Sequence, residues 1–162
     1  MSDARHPRPL RRAAREIVDP DGLNEILATA QLLYLSFNDH PAPYVIPVCF
    51  GSAPGVLYVH GAKEGAKIDL LRGNPRVGFS ASVDVSIVAG RAPCGFSCAG
   101  RSIVGTGFAR IVEDEEERRR GLDAIMRHYS HASGELSYEP GSLSRTGLIA
   151  IRIETLCGKR VG

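Results

Sequence analysis

Hydrophobic positions change period several times along the chain, and each change marks an element. After Asp19-Pro20-Asp21, apolar residues fall at Leu23, Ile26, Leu27 and Ala30. That is the i, i+3, i+4, i+7 spacing of one helix face, entered through a proline at the first helical position. From Gln31 the chemistry is that of strands: residues 32–37, a turn at Asn38-Asp39-His40-Pro41, then residues 44–50, rich in β-branched and aromatic side chains. Gly51-Ser52-Ala53-Pro54-Gly55 makes a second turn, and residues 56–60 make a third strand. Residues 63–72 carry Ile68 and Leu71 on one face and end at Gly73-Asn74-Pro75, which predicts a short helix.

Residues 76–85 follow as a fourth strand, whereas Ala, Gly, Pro and Cys dilute any period over 86–97, which reads as a loop or irregular edge. Residues 101–112 form a long strand interrupted by Gly105 and Gly107, as expected where a strand bends to close a barrel. Asp114 with Glu117 makes a capping box for a helix whose apolar face is Leu122, Ile125, Met126 and Tyr129. A loop over 132–146 leads to a last alternating strand, 148–156. Six strands with singly inserted helices predict a largely antiparallel α+β barrel or sheet. No Gly-x-Gly-x-x-Gly follows a strand and opens a helix, which argues against a parallel dinucleotide-binding sheet.

The 162 residues, 43% hydrophobic and 23% charged, suit one globular domain, read here as residues 19–162 behind a basic N-terminal arm, residues 1–18. The net charge of +2 is uneven, because Arg5, Arg8, Arg11, Arg12 and Arg15 face a single nearby acid, Asp3. The remaining body is mildly acidic and lacks the broad basic face that phosphate-backbone binding needs, so no nucleic-acid partner is expected beyond the weak signal of the arm. No apolar run approaches 18 residues and no secretory apolar stretch follows the arginines. The expectation is a cytoplasmic protein with no membrane partner and with Cys49, Cys94, Cys98 and Cys157 as reduced thiols. Cys94 and Cys98 with His128 and His131 could be drawn as a zinc site, but their spacing lacks a finger or knuckle context, so no metal is expected.

Chemistry concentrates in Leu57-Tyr58-Val59-His60-Gly61-Ala62-Lys63-Glu64-Gly65-Ala66-Lys67-Ile68-Asp69. A strand end, a glycine turn and a helix start within so few residues expose free backbone N–H groups, and Lys67 adds a full charge. The combination suits a phosphate monoester, although Lys-Glu-x-x-Lys is also an ordinary solvated helix face. Lys63 would join Lys67 on one face only if the helix starts at or before Lys63. His60, ending an apolar strand, could lean over an aromatic ligand or exchange a proton near neutral pH, or could be a rim histidine with a satisfied hydrogen bond.

Three blocks, Pro43-Tyr44-Val45-Ile46-Pro47-Val48-Cys49-Phe50-Gly51, the segment just quoted, and Arg101-Ser102-Ile103-Val104-Gly105-Thr106-Gly107, resemble in order and spacing one known group. It is the nitroimidazole-resistance (Nim-like) branch of the pyridoxamine 5′-phosphate oxidase-related, FMN-binding split barrels. The resemblance covers about residues 8–160. It implies a six-stranded antiparallel split β-barrel with flanking helices, forming a homodimer with FMN in two clefts between the subunits. It further implies Lys67 as phosphate ligand, Gly61 and Ala62 near the ribityl phosphate, and Val45, Ile46, Pro47 and Val48 flanking the isoalloxazine. His60 would lie beside flavin and substrate as the catalytic candidate, while Ser102, with Arg101 and Val104, would help hold phosphate or ring. Lys159 falls in a terminal Gly-Lys pair typical of such proteins. Gly100 departs from the pattern, since relatives often carry an aromatic residue there, and could widen the cleft.

The activity implied is a flavin-dependent oxidoreductase passing electrons from NAD(P)H to a small molecule, nitroaromatic drugs among the candidates. No nucleophile triad or paired carboxylate announces catalysis, so a non-catalytic flavin-binding or flavin-sensing dimer is the rival reading. A split barrel using deazaflavin F420 or haem is a third.

Overall fold

The computed structural model describes residues 11–130, 133–134 and 136–162. One sheet holds β1 (Glu16–Ile17), β2 (Leu33–Phe37), β3 (Tyr44–Val48), β4 (Phe50–Ala53), β5 (Val56–Gly61), β6 (Arg76–Val88), β7 (Ser97–Ile111) and β8 (Gly147–Val161). The helices are α1 (Pro20–Thr29), α2 (Ala66–Gly73), α3 (Glu115–Ser130) and α4 (Pro140–Arg145). Hydrogen bonding runs in the order β3-β2-β6-β7-β8-β5-β4, with β1 added to β8. All pairings are antiparallel.

The two ends of that order, β3 and β4, are separated in sequence by Cys49 alone. The chain itself therefore joins the edges and closes the sheet. Taken as one bent strand, β3 and β4 reduce the count to the six expected plus the two-residue β1, and the architecture is the antiparallel split barrel. Alternation puts Leu33, Leu35 and Phe37 of β2 inside with Val77, Phe79 and Ala81 of β6, and these join Ile26, Leu27, Phe50, Leu57, Val59 and Ile151 in the main core. A smaller core under α3 gathers Tyr58, Val112, Leu122, Ile125, Leu148 and Ala150. Phe50 connects α3 to the barrel: its ring centroid lies 4.8 Å from that of His128, and its N–H donates to the Tyr129 hydroxyl at 3.1 Å.

Pro20 opens α1 and Asp114 caps α3, as expected. Asp19 accepts from the Gly22 N–H at 3.0 Å and Asp114 accepts from the Glu117 N–H at 2.8 Å. Other boundaries differ. Residues 1–10 of the expected arm lie outside the described residues, but Glu16 and Ile17 pair with Lys159 and Gly158 of β8, and Ile17 is buried. β6 and β7 continue past the core, Ser86, Ile87 and Val88 pairing with Ala99, Cys98 and Ser97 where a loop or irregular edge is expected. Val85, Ile87 and Val88 are exposed, so no buried face imposed a period on that stretch. α4 interrupts the expected loop because Leu143 packs against the smaller core.

Candidate functional site

β5 ends at Gly61, and the turn that follows delivers α2 at Ala66 rather than at Lys63. Gly65, at φ +102°, caps the helix, its carbonyl accepting from the Ile68 N–H at 2.8 Å. Lys63 thus precedes the helix and does not share a face with Lys67. Lys67, in the first turn, folds back over the strand end: its ammonium nitrogen stands where a Cβ on residue 61 would be, with Cε 3.1 Å from that point. Val59 is buried in the main core while His60 is exposed. Strand alternation therefore sets His60 on one face of β5, and the Gly61–Lys67 contact on the other. A ligand touching both must wrap around the end of β5.

β3 runs through Cys49 into β4, whose first residue, Phe50, pairs with Val59 one position before His60; this is the β3–β5 junction. Along β3, Ile46 and Val48 pack on the main core, whereas Val45 is 54% exposed and Pro47 is exposed. Cross-strand register follows their face across the sheet. Pro47 faces Tyr34, Tyr34 faces Ser80, and Ser80 faces Val104, while Ser82 faces Ser102 and Ser102 faces Lys159. Val45, Pro47, Tyr34, Val104 and Ser102 thus share the outer face, with Tyr34 50% and Val104 49% exposed. Tyr34 was not singled out from the sequence; its signal is an aromatic residue on the non-core side of an otherwise clean Leu33, Leu35, Phe37 alternation.

Arg101 is occupied differently from the expected ring or phosphate contact. Its guanidinium donates to both Glu25 oxygens at 2.8 and 3.1 Å, and its Nε to Asp84 Oδ2 at 2.8 Å. It ties α1 to the bulge in β6, where Asp84 takes φ +55°. The hydrogen bond and charge of Arg101 hold the Glu25 carboxyl below its usual range, and the two carboxylates push the guanidinium pKa upward. Gly100, at φ +154°, belongs to the same irregularity, since a Cβ there would lie 3.1 Å from the Val83 carbonyl oxygen. Backbone crowding accounts for that glycine on this side of the sheet.

One chain brings the first two blocks together at the β3–β5 junction and leaves the third on the outer face of β7, two strand spacings from β5 and three from β3, or about 10 and 14 Å. A groove of about 620 Å³ lined by Gln31, Leu32, Tyr34, Ser82 and Asp84 lies on that face. A larger one of about 790 Å³ runs between α1, the β4–β5 turn and β8, away from every candidate residue. Among the described residues no cluster of three His, Cys, Asp or Glu side chains could hold a metal. His128 instead meets the Ala30 carbonyl at 2.8 Å, Cys94 and Cys98 are exposed, and His131 lies outside the described residues. No described helix is long and apolar enough to cross a membrane.

A family profile described as pyridoxamine 5′-phosphate oxidase matches residues 19–160. The chain belongs to this family. Within the split-barrel fold it is similar to a protein from Bacteroides thetaiotaomicron assigned as a 5-nitroimidazole antibiotic resistance protein. The two are 30% identical over 89% of this chain and 85% of that one, with a TM-score of 0.77. The flavocytochrome Anf3 from Azotobacter vinelandii shares the fold at TM-score 0.79 and 18% identity, over 96% of this chain and 73% of that one. So does an FAD- and haem-binding protein from Mycobacterium smegmatis, at TM-score 0.77 and 18% identity, over 90% and 73% of the two chains. A comparison with curated protein sequences finds no match.

Proposed function

We propose that this member of the pyridoxamine 5′-phosphate oxidase family is a flavin-dependent oxidoreductase that holds FMN at the β3–β5 junction. The observation that carries the reading is the Lys67 ammonium group seated over side-chain-free Gly61 beside the first turn of α2. A phosphate monoester entering there meets a full positive charge and unpaired N–H groups at a helix start, with no Cβ in its way. The residues present fit the group. Two of the structural neighbours are named for flavin or for its pairing with haem, which agrees with the choice of a flavin.

Bound FMN would supply two-electron transfer between a nicotinamide donor and a small acceptor, nitroaromatic compounds included. The chain's own residues position and enclose. Lys67, with the backbone of Gly61 and Ala62, holds the phosphate end. Val45, Ile46, Pro47 and Val48 offer the ring a strand whose outer side chains exclude water. His60, exposed at the strand end, orients a substrate or hands it a proton. A second copy of the chain, covering the outer face that bears Tyr34, Val45 and Val104, would bring its own third block, Ser102 and Val104, toward the cleft of the first.

The test is the absorption spectrum of purified protein reconstituted with FMN, followed by NAD(P)H oxidation with and without a nitroimidazole. Tight FMN binding with donor oxidation is the expected result. A protein that rejects FMN, or shows a Soret band or takes only F420, overturns the cofactor; one that binds FMN but oxidises no donor is a binder. Replacing His60 with Ala at saturating FMN is expected to cut turnover at least tenfold, and an unchanged rate removes its role.

A further inference from the structure

We propose a second anion site, separate from Lys67 and independent of the flavin reading, formed by Arg11, Arg12, Arg15 and Lys159 around a pocket of about 160 Å³. Its chemistry is that of a phosphate monoester whose remaining body lies outside the pocket, on the surface. Among the described residues four side chains line it, and all four are cationic. None of them forms an ion pair with a carboxylate among the described residues, in contrast to Arg72, Arg76, Arg101, Arg110, Arg120 and Arg152, each of which does. Like charges gathered without a counter-charge repel one another, and an anion of charge near −2 relieves that repulsion.

The fold holds the cluster in place. A single 3-10 turn, Ala13–Arg15, closes with the Arg15 N–H donating to the Arg12 carbonyl at 3.0 Å. That bond brings the backbones of Arg12 and Arg15 together across the turn. β1 follows immediately and pairs Glu16 with Lys159, which sets the turn beside the C-terminal half of β8. Buried Ile17 anchors this docking against Gly158, where a Cβ would lie 2.9 Å from the Ile17 Cβ. Glu16, opposite Lys159, has its carboxyl near the Cys157 thiol at 4.0 Å rather than within ion-pair reach of the ammonium. The pocket has room for a phosphate group.

Two sources share this chemistry, the phosphate of the flavin and that of a separate phosphorylated compound, and the arms of the experiment distinguish them. The experiment titrates inorganic phosphate into FMN-loaded, full-length protein by calorimetry, in parallel with the R12Q/R15Q, K159Q and K67Q variants. Saturable binding is expected in the parent protein and in K67Q, weakened at least tenfold in R12Q/R15Q and in K159Q, with FMN retained by all but K67Q. Absence of saturable binding overturns the site, as does equal affinity in R12Q/R15Q. Release of FMN on adding phosphate, or loss of FMN from R12Q/R15Q, assigns the pocket to the flavin and overturns its independence. The same titration is run on protein without FMN, so that failure of phosphate binding is distinguishable from failure of the cofactor assignment. Arg11 and Arg12 are exposed, so circular dichroism of R12Q/R15Q checks folding, and K159Q gives a second variant that leaves the N-terminal turn intact.

Discussion

The Lys67 ammonium nitrogen occupies the volume that any side chain on residue 61 would require, so the charge and the glycine form one device. A Gly61→Ala methyl would push aside only the far end of a flexible side chain. The stability change is therefore expected to stay within about 1 kcal/mol. FMN affinity should drop about tenfold, the equivalent of about 1.4 kcal/mol, while riboflavin, which has no phosphate, binds as before. Lys67→Gln should show the same selectivity. Fluorescence titration with both flavins decides it, and equal losses for the two would place Lys67 away from the phosphate.

Tyr34, Val45 and Val104 are each about half exposed on one sheet face, an arrangement that a second copy would bury. Glu in place of Val104 meets solvent in the isolated chain and should leave its fold intact. In a dimer closed across this face it would bury an unpaired charge twice. Sedimentation velocity is expected to show V104E as a monomer at concentrations where the parent protein is a dimer, with FMN lost in step. A monomeric parent protein, or a V104E dimer, would move the cleft elsewhere.

Much of the barrel was legible because its strands alternate against a single core: Leu33, Leu35 and Phe37 announce β2 as plainly as Leu122 and Ile125 announce α3. Blocks one and two were legible as a site because they lie close in sequence as well as in space. What escaped was paired at long range. β1 exists because Ile17 finds Gly158 at the other end of the chain, and no local period signals that. The tips of β6 and β7 carry Val85 and Ile87 into solvent, so the backbone ladder persists after the hydrophobic pattern has ended. Arg101 lay within a recognisable block, yet its partners Glu25 and Asp84 come from two other elements, and spacing along β7 could not reveal them.

That clamp makes a pH-dependent prediction. Arg101 lowers the Glu25 pKa from its usual 4.5, first by hydrogen bonding and then by charge. A carboxyl with a depressed folded-state pKa contributes its full stability above the unfolded value and loses it as pH falls through the folded one. Arg101→Met should therefore lower Tm at pH 7, and the gap to the parent protein should narrow below pH 4.5. Arg101→Lys keeps the charge without the fork and should fall between the two. Thermal melts across pH 3 to 7, a range chosen to bracket about 4.5, provide the check; a gap independent of pH would assign the loss to packing.

Gly158 is the point at which the N-terminal strand and α1 both reach β8. A Cβ there would stand 2.5 Å from Leu23 Cδ2 and 2.9 Å from Ile17 Cβ, and neither neighbour is the loose end of a long polar chain. Gly158→Ala is expected to cost about 1–3 kcal/mol by overpacking. Shortening Leu23 removes the nearer of the two atoms, so the double variant G158A/L23A should lose less stability than the two single losses added together. Urea denaturation of the four proteins in that cycle measures the coupling. Strict additivity would mean that β1 undocks at little cost and that Ile17, rather than Leu23, gives way. In that event G158A alone should open the Glu16 and Ile17 amides to hydrogen exchange while the amides of β7 stay protected.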